Sequence, residues 1–507
     1  MYNSPMNQLL GSLSAQLTNT LVSLSFFVPE IWLTALFLVL LITDIVYGKH
    51  SAWLCKLIAT GGLLVILLKD HQQLQLLTFG PKFLFGEMLL LHSTAVSFKL
   101  VIDSVAILLL IYFSFDKRLK AHQKGLSDLY TIVTASVLGL HLMIMAINLL
   151  SVYLAIEMVS LASYLLAAYR SENGFSAEAG LKYVLFGAVS SAVMLYGISL
   201  LYSLTGSLNY FSGNLVPGLM VANPTLVLIA IAVVLVGIGF KLSFIPMHFW
   251  VPDVYQGAPT PITAYLSTLP KIAAFALLIN FLTPFVFNNK WHAFDFRLFL
   301  SAMAILTMIA GNFAAVLQKN IKRMLAFSSI GHTGFALMAV VTFTPKGISA
   351  LLFYLAAYAI ANIAALVLAS YFADSTGAED LDAYKGLGLK YPVAGVCFVI
   401  ILISLTGLPV TAGFNAKLLV FSSVYSVYES NHGIWLLTLL VTGAFTTVVS
   451  LFYYIKIPLY LFLKKQQAEV LLNNSLQTKW LLTLALILSG AVLTLGIFPG
   501  LLANLFQ

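Results

Sequence analysis

Four ionisable residues stand alone inside long apolar stretches. Glu157 lies in SVYLAIEMVSLASYLLAAY, Lys241 in LVLIAIAVVLVGIGFKLSFIP, Lys271 in PITAYLSTLPKIAAFALLI and Lys417 in GLPVTAGFNAKLLVFSSVY. A charged side chain at the centre of a bilayer costs about 2.5–3.5 kcal/mol on insertion scales, so chains keep such groups where they face one another or line water, and there they move ions. Burial disfavours the charged form of an amine, and a nearby carboxylate favours it. An amine under both influences can change protonation near neutral pH when its partner moves. One carboxylate and three amines on separate helices therefore suit a proton path.

Each residue also has a plainer reading. Glu157 could be a neutral acid hydrogen-bonded to Ser160 rather than the ion-pair partner of a buried lysine. Lys241, late in its helix and five residues before Pro246, could snorkel to the interface. Lys271 after Pro270, and Lys417 beyond Gly407-Leu408-Pro409, could each cap the carbonyls of a broken helix. Taken together the four make a series that packing alone does not explain. Lys182, His248 and His332 are weaker candidates. Lys182 reads equally well as an edge lysine, His248 as an interfacial histidine, and His332 as a water-linked bridge between Lys271 and Lys417. Lys99 and Asp103, one turn apart, read as a helix pair. Glu30 and Asp44 read as residues near the membrane faces, and most Phe and Tyr as lipid-facing or belt residues.

The elements that must position these groups are transmembrane helices. Of 507 residues, 60% are hydrophobic and 9% charged, against roughly 25% charged in soluble domains. Runs of about 20 apolar residues, enough to span a bilayer, recur near 24–47, 52–68, 93–115, 128–148, 150–170, 180–203, 225–247, 257–283, 296–316, 323–343, 347–372, 392–425, 434–463 and 478–503. This predicts an all-α polytopic membrane protein of about fourteen spans. No Lys or Arg precedes the first apolar run, which argues against a cleaved signal peptide. The loops after odd spans hold GKH, DKRLKAHQKG and QKNIKR, whereas those after even spans are sparse in Lys and Arg. The positive-inside rule then places odd loops in the cytoplasm and both termini outside. It also accounts for the net charge of +8 without nucleic acid.

Pro246 and the Gly407-Leu408-Pro409 segment should open spans seven and twelve. Unwound backbone at membrane depth survives only against protein or a water cavity. The breaks fall five spans apart, which suggests two inverted five-helix repeats. The expected organisation is three N-terminal helices (1–127), a first repeat (128–283), a second, inverted repeat (284–463) and a C-terminal helix (464–507). Cys55 and Cys397 are the two cysteines, too few for an iron–sulfur cluster. No CxxC, HExxH or strand-borne GxGxxG is present. No cofactor or metal site is expected in this chain.

HFWVPDVYQGAPTPITAYLSTLPK, NIKRMLAFSSIGHTGF and the Glu157 span together resemble the antiporter-like subunit N family of proton-pumping NADH:quinone oxidoreductase (respiratory complex I). The PDVYQGAPTP run separates the chain from the sister subunits M and L. The resemblance covers nearly the whole chain, most firmly spans four to thirteen. It implies that Glu157 pairs with Lys241, that Lys271 connects them to Lys417, and that Lys182 is the span-six lysine of the family. It implies a bacterial inner membrane, sister membrane subunits including M and K, and a peripheral arm carrying flavin and iron–sulfur clusters. A cation/proton antiporter of the Mrp type, or a non-pumping membrane scaffold, would share the same architecture.

Overall fold

The structure is a computed structural model that describes residues 5–77, 80–122, 125–211, 214–288, 290–377, 379–465 and 476–505. The chain opens with α1 (Pro5–Phe26), α2 (Val28–Tyr47) and α3 (Ala52–Leu76). A hairpin of β1 (Lys82–Leu84) and β2 (Leu89–Leu91) then leads to α4 (Ser93–Phe113). A short α5 (Lys117–Lys120) precedes α6 (Ser127–Met145), α7 (Leu149–Ala167) and α8 (Gly174–Thr205). Next come α9 (Leu215–Val221), α10 (Pro224–Leu242), α11 (Trp250–Gly257) and α12 (Thr260–Val286). The remainder is α13 (Phe296–Val316), α14 (Ile321–Val341), α15 (Pro345–Thr376), α16 (Leu387–Lys390), α17 (Pro392–Thr406), α18 (Ala412–Asn431), α19 (Ile434–Tyr454), α20 (Lys456–Pro458), α21 (Leu476–Ile497) and α22 (Gly500–Ala503).

The helix boundaries follow local chemistry. Asn148, Asn173, Asn223, Asp295, Asn320 and Thr344 each accept a backbone N–H as N-caps of α7, α8, α10, α13, α14 and α15. This satisfies donors that a helix start leaves free. Pro224, Pro345 and Pro392 occupy first-turn positions, where their missing N–H costs nothing.

Thirteen helices among the described residues are long and apolar enough to cross a membrane. The predicted span 392–425 is divided: α17 ends at Thr406 and α18 begins at Ala412. Likewise α10 ends at Leu242, before the 243–249 segment and α11. The shortest predicted span, 52–68, is a full 25-residue helix, α3. The sequence reading missed α1, a 22-residue helix whose Asn, Gln, Ser and Thr content hides it from a hydropathy search.

Burial sorts the helices. α14 and α15 are almost wholly enclosed and α12 nearly so, while α3, α8, α19 and α21 keep most of their surface open. α12 packs on α4, α6, α10 and α15, and α14 packs on α11, α13, α15 and α18. α2, α3, α4 and α6 form a further packed group. The expectation that tyrosines mostly face lipid is corrected. Tyr112, Tyr130, Tyr183, Tyr210, Tyr255, Tyr265, Tyr384, Tyr453 and Tyr454 are fully buried, and buried hydroxyls need polar partners.

Candidate functional site

The three intramembrane lysines are enclosed: Lys241 is 3% exposed, Lys271 3% and Lys417 5%. Lys271, on α12, reaches α14. Its Nζ donates to Ser329 Oγ at 2.7 Å, Thr333 Oγ1 at 3.1 Å and the Ser329 carbonyl at 3.2 Å. An ammonium offers three donors and no acceptor, so the site saturates it.

Lys241 occupies the last turn of α10, and its Nζ has no hydrogen-bond partner. The rings of Tyr164 and Tyr183 flank it, each centroid 5.8 Å away, a distance at which the ring faces attract a cation. The backbone freed where α10 ends is satisfied locally. Trp250 Nε1 donates to the Phe240 carbonyl at 3.2 Å, and Thr333 Oγ1 donates to the Leu242 carbonyl at 3.1 Å. Thr333 thus ties the end of α10, beside Lys241, to the ammonium of Lys271.

Lys417, on α18, donates to the Thr406 carbonyl at 2.7 Å and lies 4.5 Å from the Phe335 ring centroid. It therefore caps the broken end of α17, the plainer role open to it on sequence. Gly407 sits between them at φ 87°, and a Cβ there would lie 2.7 Å from Lys417 Cδ. Both the backbone conformation and the close approach require glycine.

His332 of α14 lies between two tyrosine hydroxyls and beside Lys417. Its Nδ1 is 2.7 Å from Tyr354 Oη and its Nε2 3.2 Å from Tyr454 Oη. Tyr454 in turn bonds Ser328, and Tyr358 lies against the imidazole with ring centroids 4.7 Å apart. A cavity of about 10 Å³ is lined by His332, Tyr354, Tyr358, Ser404 and Lys417, about the room one water needs. None of these tyrosines was singled out from sequence, because Tyr in an apolar run also reads as a belt residue.

Glu157 lies on α7 with Oε1 buried and without a hydrogen-bond partner, and no ion pair joins it to Lys241. Around it α7 presents Leu150, Leu154, Leu161 and Leu165 outward, each more than 40% exposed. Glu157 itself is half-buried among them on this otherwise apolar helix face. Lys182 is drawn to the edge instead. It pairs with Asp253 and Glu178, each at 2.8 Å, and Asp253 also takes Arg323. Asp253, inside the PDVYQG run, is a residue that sequence reasoning passed over. His248 lies half-buried between α10 and α11 with its ring against Phe249, and reaches none of the lysines by hydrogen bond.

A second group of charges was misread. Lys99 and Asp103 do not pair along α4. Lys99 bonds Glu30 of α2 and stands 3.5 Å from Asp70 of α3, while Asp103 binds His141 of α6 at 3.1 Å. Glu30, in the first turn of α2, is fully buried against protein. Helices packed on α4 bring these partners to the face where the i, i+4 neighbour would otherwise have served. Lys322, counted from sequence among the loop charges, is 4% exposed and donates to the Ala258 carbonyl at the end of α11. It borders a cavity of about 320 Å³, lined also by Arg118, Arg170, Gln256, Asn320 and Glu379.

Residues 146–447 match the family model described as NADH:quinone oxidoreductase/Mrp antiporter, TM. The chain is 37% identical to NADH-quinone oxidoreductase subunit N of Chlorobium chlorochromatii (strain CaD3), over 99% of this chain and 96% of that one. Its structure is similar to a chain of respiratory complex I from Thermus thermophilus with bound aureothin. The TM-score is 0.74 at 30% identity, covering 94% of this chain and 98% of that one. A chain of the Mrp complex from Dietzia sp. DQ12-45-1b superposes with TM-score 0.79 over 95% and 96% of the two chains. At 18% identity, that likeness speaks for the fold alone.

Proposed function

This chain belongs to the NADH:quinone oxidoreductase/Mrp antiporter family and is a proton-translocating multi-pass membrane subunit; from that premise we propose that it moves protons along Glu157, Lys241, Lys271 and Lys417. The observation that carries the proposal is α14. One enclosed helix holds Lys271 through Ser329 and Thr333, touches the end of α10 beside Lys241 through Thr333, and points His332 and its tyrosines toward Lys417.

In this reading the proton reaches Lys241 from the cytoplasmic side. Glu157 sets the charge state of Lys241 across the Tyr164–Tyr183 pair. Its outward helix face lets a change of charge in a neighbouring membrane subunit act on it. Lys241 passes the proton to Lys271, and the His332 network carries it to Lys417 and outward. Lys182, with Asp253 and Arg323, clamps α8, α11 and α14 at the edge rather than carrying protons. The two broken helices belong to two five-helix repeats of inverted topology, with α2–α4 before them and α21 after.

Moving a charge against 100 mV costs about 2.3 kcal/mol. The driving reaction is quinone reduction elsewhere in an NADH:quinone oxidoreductase, in a peripheral arm bearing flavin and iron–sulfur clusters. The sister membrane subunits, M and K among them, lie alongside in a bacterial inner membrane, with both termini of this chain periplasmic. The test is proton release per electron by the assembled complex in vesicles. Glu157→Ala and Lys241→Ala each lose most of the coupled translocation, and a wild-type ratio in either variant refutes the route. Sodium-driven proton movement by the purified chain alone would instead support cation exchange.

A further inference from the structure

The buried group on α2, α3, α4 and α6 takes no part in the route above. Its members are Glu30, Asp70, Lys99, Asp103 and His141, and every one of these side chains is 0% exposed. Lys99 Nζ bonds Glu30 Oε1, donates to Gln73 Oε1 at 3.3 Å and faces Asp70 Oδ1 at 3.5 Å. His141 stands between two carboxylates. Its Nδ1 is 3.2 Å from Glu30 Oε1 and 4.0 Å from Asp70 Oδ2, and its Nε2 is 3.1 Å from Asp103 Oδ1. The polar atoms of Glu30, Asp70 and His141 all lie within 4.8 Å of one another. Glu30 Oε2, both oxygens of Asp70 and Asp103 Oδ2 are buried without a hydrogen-bond partner.

Two arguments count the protons. First, both ring nitrogens of His141 face carboxyl oxygens. A neutral imidazole has one donor and one acceptor nitrogen, so either the ring is an imidazolium or a carboxylic acid donates to it. Second, three ionised carboxylates against the Lys99 ammonium and a His141 imidazolium leave one uncompensated negative charge. An isolated charge out of water is expensive, and such a group takes up a proton instead. One further proton makes the set neutral. The carboxyl with neither oxygen bonded is Asp70, which gives that proton its seat. His92, the N-cap residue of α4, is a further titratable group, and the charge of Lys99 acts on it.

We propose that Glu30, Asp70 and Asp103 share one exchangeable proton, forming a second proton-binding station apart from the Glu157–Lys417 line. The assignment stands on the geometry and charge of these five residues and does not depend on the central route. The station is shallow. Glu30 is in the first turn of α2, His141 is about one turn from the end of α6, and Asp70 and Lys99 lie six residues from the ends of α3 and α4. At 1.5 Å per residue this is at most roughly 9 Å, under two turns, from those helix ends.

The test is infrared difference spectroscopy of the full chain in lipid nanodiscs. The wild type has a carboxylic acid C=O band that shifts in deuterium oxide and vanishes as pH is raised. Asp70→Asn loses that band. Glu30→Gln and Asp103→Asn lose it too, because the two remaining carboxylates then balance Lys99 and His141. Glu157→Gln keeps it, which separates this station from the central route. Carboxyl-labelled aspartate in the unsubstituted chain shifts the band, a reading that needs no variant to fold. Identical carboxylic acid bands in the wild type and every cluster variant would overturn the proposal. So would a band insensitive to aspartate labelling, or its displacement by sodium at constant pH.

Discussion

Lys271 offers the sharpest separation between a proton carrier and a structural cation. Its ammonium makes three hydrogen bonds, to Ser329 Oγ, the Ser329 carbonyl and Thr333 Oγ1. Hydrogen bonds to a charged group contribute about 1.5–3 kcal/mol each, so the protonated amine is held by at least roughly 4 kcal/mol. Those bonds offset part of the cost of holding an ammonium away from water. Lys271→Met removes the station while nearly preserving volume. Leaving the Ser329 and Thr333 acceptors without this donor costs about 1–3 kcal/mol, within what a complex of this size tolerates, so it should assemble and oxidise NADH while translocation through this chain falls below detection. Lys271→Arg is the decisive partner. A guanidinium keeps the charge and the donors but does not release its proton. A structural cation would be rescued by arginine, whereas a carrier would not. The assay is proton uptake by vesicles containing the assembled complex, against NADH oxidised. A wild-type proton-to-electron ratio in Lys271→Arg refutes the reasoning.

Gly407→Ala meets both the left-handed backbone cost of about 1–2 kcal/mol and the Lys417 stem, so it lowers the melting temperature in detergent and slows pumping together. Gly311→Ala puts a Cβ 2.5 Å from the Gly331 nitrogen, and forcing α13 from α14 costs about 1–3 kcal/mol, read as a lower melting temperature. Tyr354→Phe removes the hydroxyl at His332 Nδ1; pumping slows, and the orphaned ring nitrogen costs about 1–3 kcal/mol of stability. Asp253→Asn breaks partly exposed pairs to Lys182 and Arg323, and shifts stability by less than about 1 kcal/mol in the same melting measurement.

The four intramembrane charges were legible because each stands alone in an apolar run, where a charge has no ordinary use. The breaks at Pro246 and at Gly407-Leu408-Pro409 were legible from proline and glycine chemistry. The polar residues around the lysines were not. Ser329, Thr333, Tyr354 and Tyr454 are ordinary residues in membrane helices until packing turns them toward one another. The Lys99 group was misread for a related reason. An i, i+4 Lys–Asp spacing suggests a complete local pair, while Asp70 in LLKDHQQ and His141 in GLHLMIM give no sign of which helix they will meet. The position of Glu157, half-buried on an outward face rather than bonded to Lys241, depends on tertiary geometry that no spacing encodes.

The central claim is that Lys241, Lys271 and Lys417 act in series. The direct measurement is the proton-to-electron ratio of the assembled complex in vesicles, with each lysine replaced by methionine singly and with all three replaced together. A series route loses the same translocation at the first break as at the third, so the triple variant matches each single one. Losses that add from one substitution to the next, or a triple variant that still pumps at the wild-type ratio, would contradict the account.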